Sequence, residues 1–486
     1  MEVEQKDYSE LNISAKTANE IYQNLGELVP EQATEFSISG TPFNPSNIAL
    51  SVIKEGNLPF TPDKFQVETW HALANKLSVI LTAPCSSGKM IVASKAVDIM
   101  RKVTMVEDGV ALGFVPLSFI AEEVQRSNSD DVACVTMAGD VRLDGQQTVN
   151  MSDNIDSLVS GKYKLIILHA ESATSPEGKR LIDRLESEGK LVFIFVDEIH
   201  KSLKLHWGGK FRCDMQSVPA YVRSKAVFPW VPVLAMTATL TREEETEVQE
   251  MLCINKKKLV KISASPVQNH TKLINILRPN TFDGVFNLDK TLKTPGTIHL
   301  LKCLVLDEFD ACAQTNTFSK LKKTIIFVKD VKKDGIPLND YLILKYKHIP
   351  IRQRPWVLNH SEIDAVTTEH LIKSCENDLL RIIITSSNLL MGVNIPGLKT
   401  AIMLGPFSMM ADLQQALGRV GRRELGGRGL SVLYNCWNLT DLSRNTSPEV
   451  VQYCKTNDCL KQYTHEHFTN EKKTFGGSWC CSNCTD

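Results

Sequence analysis

Lys89, in Leu81-Thr-Ala-Pro-Cys-Ser-Ser-Gly-Lys-Met90, and the acids of Asp197-Glu-Ile-His200 are the residues best suited by type and order to chemistry on phosphate. Small residues before a Gly-Lys pair suit a loop whose backbone N–H groups surround phosphate oxygens at a helix N-terminus, with the lysine reaching the terminal phosphates. Ala83, Pro84, Cys85, Ser86, Ser87, Gly88, Lys89 and Met90 would form that cradle. Alone, the segment reads better as a plain glycine-containing turn before a helix, because Ala83 stands where a first glycine is usual. Met90 stands where a Ser or Thr hydroxyl would bind Mg²⁺. Asp197 and Glu198 are adjacent acids, costly together unless a cation such as a nucleotide's Mg²⁺ joins them, and the alternative is a solvated charged loop. Their order favours phosphoryl transfer, with Asp197 holding metal and Glu198 positioning water.

These residues need rigid elements. Leu191 to Val196 is a continuous apolar run that suits a strand covered on both faces, and ligands of parallel sheets sit at the carboxyl ends of their strands. Similar runs at Ser78 to Thr82, Val110 to Val115, Leu165 to Leu168 and Val233 to Met236 alternate with helix-length segments. A second set follows at Thr324 to Val328, Trp356 to Leu358, Arg381 to Thr385, Thr400 to Leu404 and Leu430 to Tyr434. The expected fold class is α/β, two tandem parallel-sheet domains with a short helical, cysteine-bearing tail. Residues 1–45 read as a polar extension with an amphipathic helix near Ile13 to Leu28. Residues 46–265 read as the first domain, 266–437 as the second and 438–486 as the tail. Ile262 to Pro295, rich in Asn, Pro and Thr, reads as the connection.

The second domain adds Gln415-Ala-Leu-Gly-Arg-Val-Gly-Arg-Arg423. Arg419 and Arg422 could reach a nucleotide as arginine fingers; alone, they read as a solvated basic helix face. In the tail, Cys459, Cys481 and Cys484 supply part of a tetrahedral zinc site, and reduced, unliganded cysteines are the alternative. The fourth ligand is missing from the expected downstream position, with Cys480, Cys454 or His467 as substitutes.

With 43% hydrophobic and 23% charged residues, the 486-residue chain has the composition of a globular protein with more than one core. A net charge of -1 gives nucleic acid no vote from bulk electrostatics, although a local basic channel fits within a neutral total. No run approaches a membrane span and the N-terminus lacks signal-peptide character, so an intracellular protein is expected.

Taken together, APCSSGKM, DEIH, Met236-Thr-Ala-Thr239 and QALGRVGR resemble motifs I, II, III and VI of superfamily 2 helicases, and within these the RecQ-type DNA helicases. Lys64-Phe-Gln66 is similar to that family's adenine-reading segment. Thr385 and Met391-Gly392-Val-Asn394 resemble motif V, and His206-Trp207-Gly-Gly-Lys-Phe211-Arg212 the aromatic-rich loop. The resemblance implies two RecA-like domains with ATP and Mg²⁺ between them: Lys89 on the terminal phosphates, Asp197 on Mg²⁺, Glu198 on the water. Lys64, Gln66, Gly392 and Asn394 would also bind ATP, with Gln415, Arg419 and Arg422 closing the site. His200, Thr237, Thr239 and Thr385 would couple nucleotide to strand, and Trp207, Phe211 and Arg212 would meet DNA. The resemblance further implies a zinc module in the tail, single-stranded or branched DNA as partner, and nuclear work in DNA repair or recombination. Met90 departs from the pattern, a thioether being a soft ligand for hard Mg²⁺. No winged-helix domain follows the tail. The expected function is an ATP-dependent DNA helicase or translocase; a nucleic-acid-binding remnant without strand separation and a DExH RNA helicase are the alternatives.

Overall fold

Leu191–Val196 is a strand buried along its whole length, and its side chains divide between two cores. In the computed structural model Phe193 and Phe195 join one apolar cluster, while Ile194 and Val196 join the other across the sheet. The structure describes residues 37–38, 41–42, 48–49, 51–52, 62–85, 87–115, 131–135, 140–143, 147–203, 231–252, 254, 256–277, 301–315, 317–360, 365–386, 395–405, 407–421, 428–435, 442–444, 446–477 and 479–484. The helix expected near Ile13 to Leu28 lies outside them.

The chain divides into two units, Met1–Ala83 with Ser87–Ala264, and Pro84–Ser86 with Ser265–Asp486. The strands of the first are β1 (Ser78–Thr82), β2 (Val110–Val115), β3 (Val132–Val135), β4 (Asp140–Leu143), β5 (Gln147–Asn150), β6 (Leu165–His169), β7 (Leu191–Val196), β8 (Val233–Thr237) and β9 (Leu259–Ser263). Their order across the sheet is β9-β1-β8-β7-β2-β6-β3-β4-β5, parallel except for the antiparallel β3-β4-β5 end. The second unit holds β10 (Thr271–Leu277), β11 (Lys323–Val328), β12 (Trp356–Asn359), β13 (Ile382–Thr385), β14 (Leu398–Leu404) and β15 (Gly429–Asn435), in the all-parallel order β10-β15-β14-β11-β13-β12.

The α/β class with two parallel-sheet units is thus observed, with two differences from the sequence reading. The first sheet carries an antiparallel extension, and Ile262 to Leu277 is not all connection. Leu259–Ser263 pairs with β1 along its length, and Thr271–Leu277 is the edge strand of the second sheet. Lys272 and Asn275 interrupt the apolar pattern of β10, as an edge strand with one protected side allows.

Two helices pack on the first core. α1 (Lys64–Ala74) buries Trp70, whose Nε1 donates to Val92 O at 3.0 Å, and so ties α1 to α2 (Lys89–Thr104). α2 buries Val92, Ala93, Ala96, Val97, Met100 and Val103, three and four residues apart, along one stripe. His71 of α1 is 2% exposed, and burial pulls its pKa down to about 4. It is neutral in the fold, so its contribution is complete above its unfolded pKa of 6.5 and is lost as pH falls from there toward 4. Between pH 7 and pH 5 the first unit should lose about 2 kcal/mol on this account. His71→Leu should flatten that slope in urea titrations followed at both pH values; an equally steep slope in the variant would refute the assignment.

Candidate functional site

β1, β8 and β7 are neighbours in the first sheet, and each delivers one part of the site at its carboxyl end. β1 runs into the loop at Ala83, whose N–H donates to Thr237 O of β8 at 3.0 Å. Gly88, at φ 83, caps the N-terminus of α2 in the left-handed conformation. The backbone favours glycine there, and a Cβ would come 2.7 Å from Gln66 Nε2 and displace that side-chain amide. Gln66 closes the first turn of α1 by accepting from Asp63 N at 2.8 Å, and its Nε2 reaches Ser87 O at 3.3 Å. Lys89 Nζ donates to Ala83 O at 2.9 Å, across the mouth of the loop. Lys64 is half-exposed and faces Glu68 at 3.8 Å. Pro84 and Cys85 are half-buried; Ser86 lies outside the described residues.

Asp197 and Glu198 leave β7 as a buried carboxylate pair, each 6% exposed. Asp197 N donates to Phe114 O at 2.9 Å, and Asp197 Oδ1 accepts from Glu198 N at 2.9 Å. Glu198 takes φ 49, a left-handed position that costs a non-glycine residue about 1–2 kcal/mol and that this surrounding structure enforces. Burial first, and then the neighbouring Glu198 charge, push the Asp197 carboxyl up to about 7, against the opposing pull of Lys89 and the Glu198 N–H. Two buried carboxylates beside one ammonium are a donor set suited to a hard divalent cation.

Behind them Thr237 Oγ1 lies 2.7 Å from His200 Nδ1 and 3.4 Å from Glu198 Oε2, while His200 Nδ1 is 3.3 Å from the same carboxylate oxygen. Thr239 N donates to Thr237 Oγ1 at 3.3 Å. One hydroxyl thus joins the end of β8 to Glu198 and His200 beyond β7. In the second unit Gln415 and Arg419 are buried, on α3 (Met410–Leu417) and just after it. Thr385 ends β13 buried and accepts from Asn359 Nδ2 at 3.4 Å. Trp207, Phe211, Arg212, Gly392, Asn394 and Arg422 lie outside the described residues.

The tail folds as α4 (Pro448–Lys455), α5 (Leu460–Thr469) and a return to the second sheet. Cys459, Cys480, Cys481 and Cys484 gather there with all four sulfurs within 4.8 Å of one another. Cys459 Sγ is 3.4 Å from Cys480 Sγ and 3.9 Å from Cys481 Sγ, which is 3.5 Å from Cys484 Sγ. A tetrahedron of sulfurs at about 2.3 Å from zinc has edges of about 3.8 Å, so the four thiols fit a tetrahedral metal ion. The fourth position, sought downstream from the spacing, is supplied by Cys480; Cys454 and His467 stand outside the cluster. Two features of these regions carry no motif: Cys480, adjacent to another cysteine of the cluster, and Gln268 with Thr271, which bond to Gly418 O and Val420 O around Arg419.

Residues 306–424 match the helicase conserved C-terminal domain. The chain is 24% identical over 354 residues to ATP-dependent DNA helicase Q-like 2 of Arabidopsis thaliana, covering 68% of this chain and 43% of that protein. To a putative ATP-dependent DNA helicase Q1 of Caenorhabditis elegans it is 21% identical over 462 residues, covering 90% and 63%. Among solved structures it resembles in fold the DUF1998 helicase MrfA bound to DNA, with TM-score 0.57 and 14% identity over 87% of this chain and 54% of that one. The chain carries a helicase conserved C-terminal domain, and its two parallel-sheet α/β units have the fold seen in helicase structures. Its sequence resemblance is to helicases of the RecQ type, and the chain spans about half the length of the curated relatives it matches.

Met90, in the first turn of α2, is half-buried and packs against the first core cluster. Its thioether therefore does part of a core residue's work at the position where a hydroxyl was looked for. Met90→Thr should cost about 1–2 kcal/mol in urea unfolding of the first unit. An unchanged midpoint would mean that this packing contributes nothing.

Proposed function

We propose that this chain is an ATP-dependent DNA helicase or translocase of the RecQ type. The observation that carries the reading is the placement of Lys89, Thr237 and the Asp197/Glu198 pair at the carboxyl ends of adjacent strands β1, β8 and β7. Mg²⁺–ATP, when bound, supplies the phosphoryl group whose transfer to water releases the driving free energy.

In this proposal Lys89 exchanges Ala83 O for phosphate oxygens, and the loop N–H groups at the start of α2 hold the same anion. Asp197 would hold the metal and offset part of its charge, and Glu198 would orient the water. Catalysis of this kind is mostly positioning and charge neutralisation, which a strained but buried carboxylate provides without reorganisation. Thr237 and His200 hold the Glu198 carboxylate, so a movement of β8's end is felt at the water. Gln415 and Arg419, with Arg422, take the transition-state charge by resemblance, while Trp207, Phe211 and Arg212 contact DNA. Gln66, with Lys64, Gly392 and Asn394, completes nucleotide binding. The four-thiol cluster holds zinc as a structural site, and nuclear residence follows only from the resemblance.

The purified chain should hydrolyse ATP faster with single-stranded DNA present, and Lys89→Ala or Glu198→Gln should lower kcat at least about a hundredfold. Met90→Thr should raise the wild-type rate by offering Mg²⁺ a hydroxyl. Hydrolysis indifferent to DNA and to both charge variants would overturn the proposal, and tight DNA binding without hydrolysis at saturating ATP would leave a binding remnant. For the tail, elemental analysis should find one zinc per chain, and none in Cys480→Ser. Full zinc retention in that variant would remove Cys480 from the ligand set.

A further inference from the structure

We propose that metal capture by the cysteine cluster is transmitted to the backbone around Arg419 through the first residues of β10, with Trp479 as a positioning residue. The inference rests on the reading of Arg419 as a nucleotide-facing arginine.

Between the cluster and Arg419 lies a short segment, residues 268–273, held from both sides. From the tail, Leu273 N donates to Cys480 O at 3.1 Å and Ser482 N donates to Leu273 O at 2.8 Å, so Cys481 pairs with the edge strand as a single parallel bridge. Asn275 N adds a bond to Ser482 Oγ at 3.2 Å. Trp479 Nε1 donates to His270 O at 3.1 Å, and its ring carries the Arg428 guanidinium 5.0 Å from the centroid. His270 O also accepts from Gly429 N at 2.9 Å, so both of its lone pairs are engaged, one by the tail and one by the start of β15.

From the other side the same segment grips the arginine's backbone. Gln268 Nε2 donates to Gly418 O at 3.1 Å and Thr271 Oγ1 reaches Val420 O at 3.1 Å, the two carbonyls that flank Arg419. Gly421 follows at φ 75, and a Cβ there would lie 2.5 Å from Thr271 Oγ1, so the chain closes on Thr271 with no slack. Arg419 itself is 5% exposed, so its direction is set by this backbone and its packing rather than by free rotation in solvent. Trp479 and the bonds at Leu273 fix residues 270 and 273; Gln268 and Thr271 carry that placement to 418 and 420. Cys480 and Cys481, two adjacent ligands, are the residues that an ion would immobilise directly beneath Leu273. Releasing the ion frees the tail's grip and loosens the arginine's frame, without touching Lys89, Asp197 or Glu198.

The test uses the full chain, with zinc bound or removed by a chelator, and reads amide exchange by mass spectrometry over residues 418–421 and 89–104. Chelation and Trp479→Phe, which keeps an aromatic ring but removes the N–H, should each speed exchange over 418–421 about tenfold, with 89–104 unchanged. Trp479→Phe should retain its zinc. Thr271→Val should lower kcat for ATP about tenfold with KM nearly constant, and Thr271→Ser, which restores the hydroxyl, should recover it. Exchange over 418–421 that is indifferent to chelation and to Trp479→Phe would overturn the inference even if Lys89→Ala abolishes hydrolysis. A wild-type chain with no hydrolysis would instead defeat the functional reading, and exchange alone would then decide whether the tail holds this backbone.

Discussion

The burial of two adjacent carboxylates at the end of one strand is the constraint on which the first unit depends. Asp197 and Glu198 cannot relax into water, because Asp197 is bonded through its N–H to Phe114 O and through Oδ1 to the Glu198 N–H. Their mutual repulsion must be met by groups on neighbouring strands. That requirement explains the strand order: β8 stands between β1 and β7, so Thr237 faces the acids while Ala83 and the lysine loop are tied to the same strand. The left-handed Glu198 adds strain that a loosely packed strand end would shed. Here Phe193 and Phe195 on one face and Ile194 and Val196 on the other keep the strand from moving.

Much of this was legible in the residue order, for identifiable reasons. A strand buried on both faces must be apolar without interruption, so β1, β2, β7 and β11 announce themselves by composition, and Gly88 by its place before Lys89 in a loop of small residues. The antiparallel hairpin Asp140–Asn150 did not, because its short strands carry polar residues with no run to mark them. β10 hid in a polar stretch because an edge strand needs only one covered side. Met90 was legible as an anomaly but not as a packing residue, since sequence does not say whether the first turn of a helix turns a side chain to its ligand or to its core. Cys480 was obscured by its neighbour: adjacent cysteines point different ways along an extended chain, whereas here the chain turns on either side of Cys481 and both sulfurs join one cluster.

The second unit solves a different problem. Its sheet ends at β10, and an uncovered edge offers unpaired N–H and C=O groups to any passing strand. The tail answers this by bonding to Leu273 on both sides and to Asn275, whose Nδ2 also donates to Cys454 O at 2.9 Å. The chain returning after α5 has little apolar area with which to hold that position: Cys480 and Cys481 are buried, but residues 471–477 are mostly exposed. A metal ion held by Cys459, Cys480, Cys481 and Cys484 would supply the missing order by joining the start of α5 to the returning chain. Edge protection and arginine placement then draw on the same few bonds, because the strand that must be covered is also the strand that carries Gln268 and Thr271 to the carbonyls around Arg419.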